Sequence, residues 1–166
     1  MVKITWHKEE VPKGMKIKQV YGLLFTRDGR FLVRIENKPK GKIYTLAGGT
    51  PEKFDRDVEA TLRRELLEEV NTTIEKPIYV GYQKIDLCDG TPEFAQVRMV
   101  AIIDKIGEKQ PDPDNGETYD RLLTTYQNAI EIIGWGDVLK NQIEDAVEIA
   151  KKELNLKFDE EEDEYI

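Results

Sequence analysis

Three glutamates with helical spacing are the residues of this chain best suited to chemistry. Glu65, Glu68 and Glu69 lie at positions i, i+3 and i+4 of one segment. Such positions are neighbours on a helix, so the three carboxylates would converge on one face. Converging anions repel one another, and Mg²⁺ or Mn²⁺ would relieve the repulsion because these hard cations prefer oxygen ligands. The spacing therefore indicates a metal site, although most acidic helix faces in highly charged proteins are simply solvated.

The segment around these glutamates resembles the Nudix box. That signature is a glycine, five residues, a glutamate, seven residues, and then R-E-U-x-E-E-x-G-U, where U is a bulky aliphatic residue. The run Arg64-Glu65-Leu66-Leu67-Glu68-Glu69 matches the second half in register. A strict count back from Arg64 places Thr50 and Arg56 at the first glycine and glutamate, and neither fits. Taking Gly49 as the glycine puts Asp55 at the glutamate position and adds one residue to the loop.

The flanks of this segment carry signals for a helix start and a helix stop. Asp57 precedes an apolar stripe, and its side chain can accept from the free amides of a first helical turn. Asn71 replaces the closing glycine of the signature and tolerates the left-handed conformation that ends helices. Thr72 replaces the final aliphatic residue. We therefore predict a helix from about residue 58 to residue 70.

The resemblance implies a fold and an activity. The fold is an α/β/α sandwich in which a mixed β-sheet packs between helices. The activity is the Mg²⁺-dependent hydrolysis, with Mn²⁺ able to substitute, of a nucleoside diphosphate linked to another moiety. The resemblance assigns metal binding to Glu65, Glu68, Glu69 and the carbonyl group of Gly48. Arg64 is expected to orient a carboxylate by a bidentate contact, with Asp55 as its partner.

The general base and the substrate contacts are less defined by the sequence. Family members take the base from the helix or from a later loop, so the candidates are Glu68, Glu93 and Glu117. Among the loop residues Glu117 is favoured, because it follows a glycine and precedes a predicted strand. Stacking or phosphate contacts are expected from two substrate-binding candidates, Arg34 and Tyr44, and also from Trp6 and Tyr119, although aromatic residues on strands more often belong to the core.

The remaining sequence predicts the elements that position these residues. Asp28-Gly29 is a hairpin signal between two strands. Hydrophobic periodicity predicts strands at residues 16–25, 30–36, 43–46, 77–86, 94–104 and 119–125. It predicts further helices at residues 126–133 and from 135 or 136 to 154. Residues 111–116 are almost all of types that favour loops and turns.

The composition limits the number of domains and the classes of partner that are expected. The chain has 166 residues, of which 39% are hydrophobic, and this suits one domain, which we place at residues 1–157. Residues 158–166 form an acidic run that we expect to be a solvated, mobile tail. The single cysteine, Cys88, excludes an internal disulfide and is consistent with the cytoplasm. No apolar run suits a membrane helix, and a net charge of −8 argues against nucleic acid as a partner.

Two other classes of function stay open from the sequence. The first is a Nudix-fold module that binds a nucleotide or a protein partner without turnover, which the departures at Arg56, Asn71 and Thr72 suggest. The second is an unrelated helical or α/β interaction protein whose acidic helix is only surface. The leading hypothesis is the metal-dependent pyrophosphohydrolase acting on a small anionic phosphate substrate.

Overall fold

The computed structural model describes residues 1–166 as a mixed α/β fold with three helices and ten strands. The helices are α1 (Val58–Val70), α2 (Tyr126–Ile133) and α3 (Asp137–Glu153). The strands are β1 (Lys3–His7), β2 (Lys16–Phe25), β3 (Phe31–Lys38), β4 (Gly41–Thr45), β5 (Ala47–Gly49), β6 (Thr72–Ile74), β7 (Ile78–Asp86), β8 (Phe94–Ile106), β9 (Asp120–Thr124) and β10 (Glu164–Tyr165). None of the helices has the length and apolar character needed to cross a membrane.

The strands form a mixed sheet whose main path runs β1-β7-β8-β2-β3-β9-β10. β2 and β8 run parallel, while the other pairs of neighbours are antiparallel. β2 and β3 pair only beside their shared turn, at Phe25 and Phe31. Beyond that point β2 pairs with β5 and β3 pairs with β4. The chain segment that contains Gly48 and Gly49 therefore lies between two strands that have separated.

Apolar layers cover both faces of the sheet. α1 packs on one face, where Leu62 and Leu66 join a buried cluster. α2 and α3 pack on the other face over a second cluster that includes Ile143. Neighbouring residues of β2 enter opposite clusters, with Leu24 under α1 and Leu23 under α3, as the two-residue period of a strand requires. The predicted arrangement of a mixed sheet between helices is confirmed.

Both ends of α1 are fixed by the residues that the sequence indicated. Asp57 Oδ1 accepts a hydrogen bond from the backbone N–H of Ala60 at 2.8 Å. At the other end Asn71 has a φ of 45°, and its backbone N–H donates to the carbonyl oxygen of Leu66. The Asn71 side chain also donates to the carbonyl oxygen of Glu108 at 2.9 Å. The helix bounds and the two caps are confirmed.

Five short strands differ from the sequence-based prediction: β1, β4, β5, β6 and, in the tail, β10. β1 and β6 were not predicted, and the strand predicted at residues 43–46 is replaced by β4 and β5 on either side of Leu46. β1 is short and mostly exposed, and it is ordered by pairing with β7, which is distant in sequence. Pairing of this kind depends on tertiary context, which local periodicity does not record.

The acidic tail, residues 158–166, was predicted to be a solvated, mobile extension. In the structure it packs against the domain instead. The Phe158 ring lies edge to face with the rings of Phe25 and Tyr126, with centroids 5.7 and 5.4 Å apart. Glu164 and Tyr165 then pair with β9 as strand β10. The charge pattern failed as a predictor here because apolar residues at intervals in the tail provide anchors.

Two arginines offset the negative charge of the tail, Arg30 just before β3 and Arg121 in β9. Arg30 Nη1 donates to Glu164 Oε1 at 3.1 Å. Arg121 is buried, and its Nε donates to the main-chain oxygen of Ile166 at 3.2 Å. The same guanidinium donates through Nη1 to the carbonyl oxygen of Val70, the last residue of α1, at 2.8 Å. These opposite charges reduce the self-repulsion that a run of acidic residues would otherwise have.

Candidate active site

The Gly48-Gly49 segment that ends β5, here called the glycine turn, brings the sheet backbone against α1. Gly48 has a φ of 149°, and a Cβ there would lie 2.2 Å from the carbonyl oxygen of Val20. A Cβ on Gly49 would lie 2.3 Å from the carboxylate carbon of Glu65. Glycine is required at Gly48, because the clash there is with backbone and the φ is positive, whereas a side chain at Gly49 would displace the Glu65 carboxylate. The turn therefore allows a carboxylate of α1 to pack directly on the chain that leaves β5.

Glu69 is the most enclosed carboxylate of the helix. Its Oε1 accepts from the backbone N–H of Gly48 at 2.9 Å, and its Oε2 contacts Arg34 Nη1. Burial raises the pKa of Glu69 to about 7, while the charge of Arg34 and the Gly48 amide act in the opposite direction. Glu69 thus joins α1 to β3 and to the glycine turn.

Arg64 holds the carboxylates at the other edge of the helix face. Its Nε and Nη2 donate to the two oxygens of Asp55 at 3.0 and 2.8 Å, in a bidentate contact. Its Nη1 donates to Glu65 at 2.9 Å and to Glu68 at 3.3 Å. The Arg64 guanidinium holds the pKa of Asp55 well below its usual range. The predicted contact between Arg64 and Asp55 is therefore present, despite the extra loop residue.

An acidic cluster forms where α1 meets the loop of residues 111–116. One carboxylate oxygen each from Glu65, Glu68 and Asp114 lie within 4.8 Å of one another. Burial raises the pKa of Glu65 and of Glu68, and the charge of Asp114 adds to both shifts. Two members thus come from the predicted helix and the third from a loop that is distant in sequence.

Asp114 was not singled out from the sequence. Asp112, two residues earlier, is buried, and its Oδ1 accepts from the backbone N–H of Asp114 at 2.8 Å. The loop is closed by a hydrogen bond from the Asp112 N–H to the carbonyl oxygen of Glu117 at 2.8 Å. The alternation of proline and aspartate at residues 111–114 was the available signal, because aspartates in such loops form turns with their own backbone.

The two loop candidates for the general base lie outside the acidic cluster. Glu117 is exposed on one side, and its Oε1 accepts from Lys38 Nζ at 3.3 Å. Glu93 lies in the connection between β7 and β8, 3.5 Å from Lys84 Nζ. Of the three candidates, Glu68 alone belongs to the cluster.

The proposed substrate contacts divide between the two faces of the sheet. The Arg34 guanidinium lies 4.4 Å from the centre of the Tyr119 ring, on the side of Glu69, and its Nε is buried without a hydrogen-bond partner. Tyr44 instead packs against the apolar cluster under α2 and α3. The Trp6 Nε1 donates to Asp145 of α3 at 2.8 Å and so ties β1 to that helix. The structure brings Arg34 and Tyr119 to the carboxylates, but not Tyr44 or Trp6.

The acidic cluster fits an oxygen-preferring divalent cation. Its three donors are carboxylates, and their crowding contributes to the raised pKa values of Glu65 and Glu68. A divalent cation among these oxygens would offset the mutual repulsion and favour the ionised forms. Arg64 alone provides a positive charge to the two glutamates, and it is shared with Asp55.

The fold and the site define a class of protein. A mixed sheet between helices, with a glycine turn packed against a carboxylate-lined helix, is the arrangement of a Nudix-fold domain. The family model described as NUDIX domain matches residues 15–132. The chain belongs to the Nudix family.

Solved structures with this fold include a variant of the Bacillus subtilis pyrophosphohydrolase BsRppH, at 17% identity and a TM-score of 0.66, over 87% of this chain and 90% of that protein. The E. coli ORF135 protein has 18% identity and a TM-score of 0.57, over 87% of this chain and 99% of its own. A Nudix hydrolase from Nitrosomonas europaea has 16% identity and a TM-score of 0.53, over 80% and 90%. Identities this low indicate a shared fold. A comparison with curated proteins found no significant sequence match.

Proposed function

We propose that this protein hydrolyses a pyrophosphate bond in a nucleoside diphosphate linked to another moiety, with the help of a divalent cation. The observation that carries the proposal is the acidic cluster of Glu65, Glu68 and Asp114, held by Arg64 beside the glycine turn. Membership of the Nudix family and a pyrophosphohydrolase among the structural neighbours support hydrolysis of this kind of bond in general. The substrate is then a small anionic phosphate compound.

The proposed cation is Mg²⁺, with Mn²⁺ able to substitute. Glu65 and Glu68, together with Asp114, would hold it. Glu69 and the carbonyl oxygen of Gly48 are proposed as further ligands on the strength of the family resemblance. When bound, such a cation neutralises phosphate oxygens and lowers the pKa of a coordinated water.

The protein side chains would supply positioning and proton transfer. Arg64 donates to Glu65 and Glu68, so it holds the two carboxylates in fixed orientations. Glu68 is the proposed general base, because its side chain is 24% exposed, whereas that of Glu65 is 9% exposed. A carboxylate in contact with solvent can accept a proton from the attacking water. Glu117 remains the alternative base, and it would have to leave its contact with Lys38 to reach the cluster.

Arg34 is the proposed substrate-binding residue. Arg34 lies beside the carboxylates, where its guanidinium contacts Glu69 and adds a positive charge that favours an anionic substrate. Tyr44, the other candidate from the sequence, packs against the apolar cluster under α2 and α3, so it is not proposed as a contact at the carboxylates.

A cytoplasmic location is also part of the proposal. Its support is the single cysteine, Cys88, which is exposed and has no partner for an internal disulfide. Neither a nucleic acid polymer nor a membrane is proposed as a partner, because the net charge of −8 disfavours anionic surfaces.

The proposal is tested with a panel of nucleotides and nucleotide sugars, each incubated with the protein in the presence and absence of Mg²⁺. We expect turnover of at least one compound, and loss of that turnover after chelation. Failure of the folded protein to turn over any compound with added metal would contradict the proposal. Thermal stabilisation by a nucleotide without product formation would instead identify a binding module.

Replacement of Glu68 by Gln tests the site itself. We expect Glu68→Gln to lower kcat by at least about 100-fold, the usual contribution of a positioned acid or base. The melting temperature should stay unchanged or rise, because repulsion within the acidic cluster is relieved. Glu59→Gln is the matched control, since Glu59 lies on the same helix but pairs with Arg63 outside the cluster. Equal losses of kcat in both variants would exclude the proposed role of Glu68.

A further inference from the structure

Asp114 reaches the acidic cluster from a long and mostly exposed part of the chain. It lies in the β8–β9 connection, residues 107–119, in which only Asp112 and Tyr119 are buried. α1, by contrast, is held to the sheet by buried residues such as Leu62 and Leu66. Because few apolar contacts hold the connection, its position depends mainly on hydrogen bonds.

The tip of the β8–β9 connection is a compact turn. The Asp112 N–H donates to the carbonyl oxygen of Glu117 at 2.8 Å, and the Gly116 N–H donates to that of Asp112 at 2.7 Å. Asp112 Oδ1 accepts from the Asp114 N–H at 2.8 Å. These bonds fix the shape of the tip, but they do not fix its place beside α1. That place is determined at the base of the connection, where the chain leaves β8 and enters β9.

Arg121 lies at this base and bonds to two segments that meet there. It is the second residue of β9 and is 3% exposed. Its Nη1 donates to the carbonyl oxygen of Gly107, the first residue of the connection, at 2.6 Å, and to that of Val70, the last residue of α1, at 2.8 Å. One side chain therefore joins the start of the connection, its end and the helix that carries Glu65 and Glu68.

Burial distinguishes Arg121 from the other side-chain hydrogen bonds between the connection and the rest of the domain. Those bonds are exposed, so water competes for the same donors and acceptors. They join Lys38 to Glu117 at 3.3 Å, Asn71 to Glu108 at 2.9 Å, Gln110 to Leu67 at 3.2 Å, and Lys109 to Asp120 at 2.7 Å. A buried guanidinium is unfavourable unless its donors are satisfied, so opening the bonds of Arg121 costs more than opening the exposed ones.

We propose that Arg121 is a positioning residue for the acidic cluster, because it holds the β8–β9 connection against the end of α1 and so places the Asp114 carboxylate beside Glu65 and Glu68. The inference rests on the proposed function for the identity of the cluster as a divalent-cation site. Arg121 is not itself a ligand, and it acts on the cation only through Asp114. Loss of its bonds to Gly107 and Val70 therefore removes the contribution of Asp114 and leaves that of the two glutamates.

The first experiment measures how firmly the base of the connection is held, without metal. Arg121→Met keeps the apolar stem and removes the donors. The Gly107 N–H, which is bonded to the carbonyl oxygen of Asn71, should exchange about 5- to 10-fold faster in this variant, the factor expected for the loss of one buried hydrogen bond. Exchange at the buried Ala146 of α3, followed in the same spectra, should change less. An unchanged rate at Gly107, or an equal acceleration at both amides, would overturn the inference.

The second experiment is a double-mutant cycle that measures Mn²⁺ affinity by calorimetry. In the wild-type background Asp114→Asn should weaken binding by about 10-fold, because a carboxylate is the stronger ligand. In the Arg121→Met background the same change should weaken it by less than about 2-fold, because the carboxylate has already left the cluster. An equal loss in both backgrounds would overturn the inference. No binding of Mn²⁺ by the wild-type protein would instead contradict the proposed function, and exchange at Gly107 would still decide whether Arg121 holds the connection.

Arg30→Met is the matched control for this cycle. Arg30 also bonds to the tail, through Glu164 at 3.1 Å, but none of its hydrogen bonds reaches the β8–β9 connection. The loss caused by Asp114→Asn should therefore stay at about 10-fold in the Arg30→Met background. If that loss disappeared there as well, the tail and not the bond from Arg121 to Gly107 would set the position of Asp114, and the inference would be wrong.

Discussion

Asp55 is the residue that fixes the position of Arg64. Its two oxygens accept from the guanidinium, and Oδ2 also accepts from Thr61 Oγ1 at 2.9 Å and from the backbone N–H of Glu52 at 2.9 Å. The carboxylate is therefore held from three sides. Arg64 in turn donates to the two glutamates of the acidic cluster, so Asp55 acts on the cluster through Arg64.

Replacement of Asp55 by Asn tests this arrangement. We expect Asp55→Asn to lower kcat by about 10- to 100-fold, as loss of a supporting contact to a site usually does. Asp159→Asn, a change at an exposed residue whose side chain makes no hydrogen bond or ion pair, is the control and should keep wild-type activity. Unchanged kcat in Asp55→Asn would show that Arg64 does not need this partner.

The Asp55→Asn variant also tests how the stability of the protein depends on pH. The pKa of Asp55 is lowered in the folded state, chiefly by its hydrogen bonds to Arg64, whereas an unfolded aspartate titrates near about 4. Its contribution to stability is therefore complete above about pH 4 and is lost as the pH falls towards the folded pKa. Urea unfolding should show a larger difference between wild type and Asp55→Asn at pH 7 than at pH 3. A difference in the free energy of unfolding that increases as the pH falls would contradict the prediction.

At the scale of elements, the loop of residues 111–116 completes the site that α1 begins. Asp114 joins the acidic cluster, whereas Glu117, the loop candidate from the sequence, contacts Lys38. Asp114→Asn should weaken Mn²⁺ binding by about 10-fold or more, because a carboxylate is a stronger ligand for a hard cation than an amide. Glu117→Gln is the matched change in the same segment and should leave the Mn²⁺ affinity unaltered. Calorimetric titration of both variants with Mn²⁺ separates the two roles.

The end of α1 gives a second test at this scale. Asn71 has a φ of 45°, where alanine is strained, and its side chain also bonds to the carbonyl oxygen of Glu108. Asn71→Ala should therefore lower the free energy of unfolding by about 1 to 2 kcal/mol. Asn71→Gly loses only the side-chain bond and should be the less destabilising of the two. The comparison is made by urea denaturation, and a glycine variant less stable than the alanine variant would contradict the capping role.

These elements also separate what the sequence could predict from what it could not. α1 was predictable to the residue, because Asp57, its apolar stripe and Asn71 are local signals for a start, a face and a stop. The contact of Asp55 with Arg64 followed from aligning a known signature. The place of Asp114 in the acidic cluster could not be predicted, because it depends on how segments distant in sequence meet. Tyr44 is the opposite case. Its residue type suggested a contact with substrate, but in the folded sheet its ring packs against the apolar cluster under α2 and α3.

At the scale of the whole molecule, the acidic tail is part of the folded domain. Phe158 packs on Phe25 and Tyr126, and Gly29 leaves room for it, since a Cβ there would lie 2.6 Å from Phe158 Cα. Phe158→Ala should lower the free energy of unfolding by about 2 kcal/mol, less than for a fully buried ring because this one is half-buried. Tyr165→Ala, at a residue 63% exposed, is the control and should change it by less than about 0.5 kcal/mol. Equal effects in denaturant unfolding would indicate that the tail is not anchored through Phe158.

Arg121 acts as an electrostatic cap for α1, the helix that carries the acidic cluster, although Arg121 is not part of that helix. α1 has no basic residue in its last turn, so the negative end of its macrodipole lacks the usual compensation within the helix. The Arg121 guanidinium, 51 residues further along the chain, provides that compensation by donating to the carbonyl oxygen of Val70. Because the same guanidinium also bonds to Ile166, the final strand and the end of α1 share one positive charge. The electrostatic potential along α1 is thus set partly by the sheet edge and the tail.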